Sequence, residues 1–150
     1  MTPELALRKH LLTKTEITGD VSRVIVGDIA PEQAPRPHVM IRRSDSPWLH
    51  TLDGTGVGTQ YGQIHLELRD DDSLRIQRLG TVLVRALLEL ESGATITVSG
   101  DDVVICELSI IDAGTDEESI PATDDGHTSE IFIRSLVVEI GHEHDISPAT

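Results

Sequence analysis

From Gln63 to Arg69 the chain alternates without a break. Ile64, Leu66 and Leu68 fall on one side, and Gln63, His65, Glu67 and Arg69 on the other, which predicts a half-buried strand. The period then changes. Ile76, Leu79, Leu83, Leu87 and Leu90 recur at spacings of three and four, the stripe of an amphipathic helix, with cap candidates over Asp70 to Ser73 and Gly93 as a stop. A first helix is predicted at the N-terminus, where Thr2 is a cap residue, Pro3 suits the first helical position, and Leu5, Leu7, Leu11 and Leu12 follow.

Between the helices, the β-branched run 21–26 and Val39 to Arg43 read as strands, separated by a proline-punctuated segment from Pro31 to His38. Ser44 to Thr59, with Trp48 and glycines at 54, 56 and 58, reads as a long loop. After the second helix, Ala94, Ile96 and Val98 alternate, then Val104, Cys106, Leu108 and Ile110, with a hairpin turn over 99–102. A polar loop is expected from Asp112 to His127, then a last strand from Ser129 to Ile140. In that strand Ile131 and Ile133 have one parity and Leu136, Val138 and Ile140 the other, which requires either a bulge near Ser135 or burial on both faces. The expected fold class is α+β: a mainly antiparallel sheet with two helices packed on one face, in the order α-β-β-β-α-β-β-β. One domain is expected over 1–140, with a flexible tail over 141–150.

At 150 residues the chain is long enough to bury roughly 68–70% of its unfolded surface. With three aromatics, Trp48, Tyr61 and Phe132, the core must be built from Leu, Ile and Val. Twelve basic residues against 26 acidic give −14, which disfavours a basic nucleic-acid surface and attraction to anionic membranes. The charge is uneven: residues 1–90 hold 11 basic and 12 acidic groups, whereas residues 91–150 hold Arg134 against 14 acids. The single cysteine excludes an internal disulfide, and neither a signal-peptide layout nor an apolar run of membrane-spanning length is present in the sequence.

The order of elements resembles a known family. An amphipathic first helix, a strand leading into a proline-rich link, the strand Pro37-His38-Val39-Met40-Ile41, an alternating strand feeding an acidic turn, and a Leu-rich second helix are similar to the tail-completion proteins, or tail terminators, of tailed bacteriophages. The segment from Asp125-Gly126-His127 to Ile140 resembles that family's closing strand. The resemblance implies a virion protein, assembled in the host cytoplasm, that forms a homo-oligomeric ring of six on the tail tube. Such a ring ends tube polymerisation, joins the tail to a head-side connector, and lets DNA pass without specific binding. It implies no catalytic residue, no cofactor and no metal. A head-completion or connector subunit of the same machine is the alternative.

On this reading Asp116, Glu117, Glu118, Asp124 and Asp125 are candidates to line the channel, where like charge would repel phosphates; the alternative is a solvated loop. Arg42, Arg43, Trp48 and Leu49 are candidates for a subunit or partner interface. Trp48 is read either as an interface anchor or as a cap on its own domain. His127, His142 and His144 would serve a different class, a small metal-binding module, and a monomeric adaptor is a third. Cys106, placed by parity beside Val104 and Leu108, is expected to be an inert core residue.

Overall fold

The computed structural model describes residues 2–27, 35–44, 48–52, 57–114, 117–124 and 127–145. Its elements are α1 (Pro3–Leu12), α2 (Thr15–Thr18), β1 (Arg23–Val26), β2 (His38–Arg43), β3 (Leu49–Leu52), β4 (Val57–Asp70), α3 (Ser73–Leu88), β5 (Ala94–Val98), β6 (Asp101–Asp112), β7 (Glu117–Asp124) and β8 (His127–Asp145). The fold class is the expected α+β. One sheet runs in the order β1-β2-β4-β8-β6-β5, with β3 beside β4 and β7 beside β8; apart from the parallel β1–β2 pair, its strands are antiparallel.

The axis of the sheet is the pairing of β4 with β8, which holds one register from Val57↔Asp145 to Asp70↔Phe132. Fourteen pairs give a ladder of about 45 Å. Each of these two strands has two shorter strands along its other side: β2 then β3 against β4, and β6 then β7 against β8.

Helix α3 covers the middle of one face. Asp72 caps it, accepting from the Leu74 and Arg75 backbone N–H groups at 2.9 and 3.2 Å. Its inner stripe of Ile76, Leu79, Leu83 and Leu87 is fully buried with Ile64, Leu66 and Leu68 of β4 and Leu136, Val138 and Ile140 of β8. Helix α1 lies on the same core through Ala6, Leu7 and Leu11. Two neighbouring basic residues of α1 reach the outermost strands of the sheet: Arg8 donates from Nε to the Val24 carbonyl of β1 at 3.0 Å, and Lys9 donates from Nζ to the Thr97 carbonyl of β5. The sheet therefore curls until both edges meet one helix, and carbonyls that would otherwise be open to a foreign strand are occupied.

Several sequence expectations are corrected. The two long loops each contain a strand, β3 within Ser44 to Thr59 and β7 within Asp112 to His127. Both are short or polar and gain their stability from pairing with a long neighbour, which local pattern does not reveal. The last strand does not stop at Ile140, because Gly141 to Asp145 pair with Val57 to Tyr61. Its change of parity is not a bulge: β8 stays in register with β4 and β7, so Leu136, Val138 and Ile140 face the helices while Ile131 and Ile133 are buried on the opposite face. The register shifts are in β6, between Ile105 and Glu107 and between Ile110 and Asp112. Val103, Ile105 and Leu108 point inward, and Cys106, the extra residue of the first bulge, is exposed rather than buried.

Candidate functional site

Two of the four sequence-nominated interface residues, Arg43 and Trp48, meet where the helix-covered face runs on past α3 toward the β3 end of the sheet. β2 brings Arg43 opposite Ile64, and the chain after it returns with Trp48. The Trp48 ring occupies the space that a Cβ on Gly62 would fill, so Gly62 is the seat of the indole. The Arg43 guanidinium stacks 4.2 Å from the ring centroid, and His142 meets the ring edge-on with centroids 5.7 Å apart. Arg43 also donates from Nε to Glu4 Oε1 at 2.8 Å, which places a partner beside the buried Glu4 carboxylate at the start of α1. On the other face Tyr61 covers Gly141, where an added Cβ would lie 2.7 Å from the Tyr61 ring.

The indole is thus half-buried against its own sheet, with Nε1 buried and lacking a hydrogen-bond partner. Arg43 has partners within the chain. Arg42 points to the opposite face and is half-exposed, and the side chain of Leu49, on β3, lies outside the described residues. His142, nominated as a metal ligand, is buried: Nδ1 donates to the Glu143 carbonyl at 3.2 Å and Nε2 lies 3.0 Å from Gln60 Oε1. Both ring nitrogens are engaged with protein groups. The side chains of His127 and His144 lie outside the described residues, and among the described residues no three His, Cys, Asp or Glu side chains converge as a ligand set.

The acidic candidates map to the β7–β8 hairpin. Glu118 is exposed, opposite Ile133. Glu117 and Asp124 open and close β7, with their side chains outside the described residues, as are Asp116 and Asp125 altogether. β4 ends opposite Phe132, so the outer part of the hairpin, from Ile120↔Ile131 to Asp124↔His127, runs beyond the end of β4.

Three arrangements of titratable side chains were not foreseen. Asp70, fully buried at the end of β4, receives two hydrogen bonds from Arg75, Nε to Oδ2 at 2.7 Å and Nη2 to Oδ1 at 2.6 Å, and also accepts from the Asp72 N–H at 3.1 Å. The Asp70 bonds hold the Arg75 guanidinium still more firmly in its charged form. On β8, Arg134 donates from Nη1 to the Gln77 carbonyl of α3 at 2.9 Å and from Nη2 to the Ala113 carbonyl at 3.2 Å. His38 is buried on the helix-free face of β2, with Nδ1 donating to the Pro35 carbonyl at 3.3 Å and Nε2 without a partner; burial pushes its pKa below the ordinary 6.5. The sequence signals were present, an Asp before a helix cap and one Arg in an acidic half, but their partners are remote in sequence or set by helix geometry.

No protein-family model matches the chain, and no curated protein matches it in sequence. Its fold does match solved structures. One chain in the virion of a native gene transfer agent (GTA) particle superposes with a TM-score of 0.52 over 95% of both chains, at 12% sequence identity. At that identity the likeness establishes a shared fold.

Proposed function

We propose that this chain is a structural virion protein of a tailed-phage-like particle, acting as a tail terminator rather than as an enzyme. Six copies form a ring on the tail tube, end its polymerisation, and present a surface to a head-side connector. The observation that carries the reading is the fold shared over nearly the whole chain with a component of a gene transfer agent virion. The order of elements that resembles tail terminators adds to it. The acidity is consistent with the role: six chains at −14 each would repel phosphates, so DNA can slide through the ring without adhering. Glu118 and its neighbours at 116, 117, 124 and 125 are the proposed channel or rim acids.

The test is particle mass by light scattering across a concentration series, with negative-stain imaging, for the protein alone and mixed with the tail-tube protein of the same particle. Six-subunit rings with a central hole that cap tubes and halt their growth support the reading. Rings that bind only the head-side connector would reassign the chain to the connector. Monomers both alone and on tubes would overturn it.

A further inference from the structure

We propose that the exposed side of α3 and the outer side of β6 are the two halves of a head-to-tail contact between copies of this chain. The proposal rests on the ring reading above and names the surfaces that would build the ring.

The side of α3 turned away from the core carries Leu74, Arg78, Thr81, Arg85 and Leu88, at successive spacings of four and three. All five are exposed, Leu74 at 80% and Leu88 at 46%. They form one straight stripe about 21 Å long, with an apolar residue at each end and arginines between. Helix α3 contains no acidic residue. Its arginines are therefore not balanced within the helix, although Asp20 pairs with Arg78 at 2.9 Å from the α2 side. Beside Arg85 a cleft of about 250 Å³ opens between α3 and the α1–α2 junction, with Val82 and Ala86 on its apolar side and Lys14, Glu16 and Glu89 on its polar side.

The complementary surface is β6. Its outer side carries Asp102, Glu107 and Asp112, and the strand contains no basic residue. Its two bulges break the inward-outward alternation, and the second leaves Ile111 as an unpaired residue, 55% exposed, between the exposed Glu107 and Asp112. An apolar knob flanked by carboxylates matches the basic stripe with its apolar ends. Both surfaces belong to the same chain, which makes a second copy the occupant with the right chemistry.

The arrangement also determines the type of contact. α3 packs on one face of the sheet, whereas Glu107 lies opposite Gly141 and Ser109 opposite Glu139 on the face without helices. The two patches look in different directions, so their union is heterologous and propagates around a ring instead of stopping at a symmetric dimer. At −14 per chain, copies repel one another in most orientations, and the basic stripe selects the orientation in which they do not.

The experiment uses two full-length variants, a helix-side variant (Arg85→Glu with Leu88→Asp) and a strand-side variant (Glu107→Arg with Ile111→Arg). All four positions are exposed, and unchanged circular dichroism melts verify that each chain folds. Wild type is expected to self-associate in light scattering, and each variant alone to weaken association by at least about tenfold. Mixed together, the two should form a 1:1 complex, because each retains the half that the other has lost. Variants that keep the wild-type mass, a mixture that remains monomeric, or a wild type monomeric at millimolar concentration would each overturn the proposal. Unchanged rings in both variants would do so while leaving the ring reading standing. Variant-sensitive oligomers that lack a central hole would support this contact and remove the ring.

Discussion

The guanidinium of Arg134 occupies the space that a side chain on Gly80 would fill. One is the lone basic residue of an acidic half, the other a glycine in the middle of a helix where glycine is unfavourable by about 1 kcal/mol relative to alanine. Together they bring α3 onto β8 closely enough for Arg134 to bond the Gln77 carbonyl, and to reach Ala113 in the crook where β6 passes into β7. The cost of glycine in the helix is offset by this contact.

Gly80→Ala is therefore expected to destabilise the protein although it raises helix propensity. Displacing Arg134 should cost about 2–3 kcal/mol in urea unfolding. In a double-mutant cycle with Arg134→Ala the two effects should fall short of their sum, since each removes the same contact. A stabilised Gly80→Ala variant would show that the guanidinium moves away without loss.

Arg75→Met leaves the Asp70 carboxylate buried beneath the start of α3 without its bidentate partner. The expected loss is about 3 kcal/mol, read as a lower urea midpoint at unchanged slope. Replacing both residues, Asp70→Asn with Arg75→Met, should cost less than Arg75→Met alone, because no unpaired charge remains. Equal losses would assign the effect to packing of the arginine stem.

Trp48→Ala should lower the stability of the isolated chain by about 2–3 kcal/mol, since the indole fills the seat above Gly62 and bridges Arg43 to His142. Gly62→Ala should act in the same direction by evicting the ring. A monomeric chain whose thermal midpoint is insensitive to both changes would return Trp48 to the role of a pure interface anchor.

His38 makes stability depend on pH. Its folded pKa lies below the ordinary value, chiefly through burial, helped by Arg69 and Arg36 and opposed by the Pro35 carbonyl and Glu67. The unfolded chain therefore binds a proton first as pH falls below 6.5. From this group, stability is lost on acidification between 6.5 and the lowered folded value, by up to about 1.4 kcal/mol per pH unit. Urea unfolding at pH 7.5 and 5.5 should show a smaller acid loss for His38→Gln than for wild type; parallel losses would mean that His38 is protonated in the fold.

Much of this architecture was legible in the residues themselves. Alternation at Ile64, Leu66 and Leu68 and the three-four spacing from Ile76 to Leu87 define elements whose apolar face is their largest feature, and burial follows such patterns directly. The α+β class, both main helices and the core strands follow from local periodicity. The parity change along β8 was equally visible, but its two explanations differ only in what lies on each side of the strand. Pairing with β4 and β7 decided for two buried faces, and placed the bulges in β6, where the first lets Leu108 join Val103 and Ile105 inside while Cys106 stays outside.

What only the tertiary structure decided depends on partners far apart in the chain. β3 and β7 are strands because β4 and β8 run long enough to pair with them, not because their own residues favour extension. Trp48 sits on Gly62, Arg134 on Gly80, and Arg8 and Lys9 on opposite edges of one sheet. A side chain's hydrophobicity is a property of its own residue and is written in the sequence. Which backbone carbonyl or glycine surface it meets is a property of the closed fold, where register and curvature bring those groups within a few ångströms.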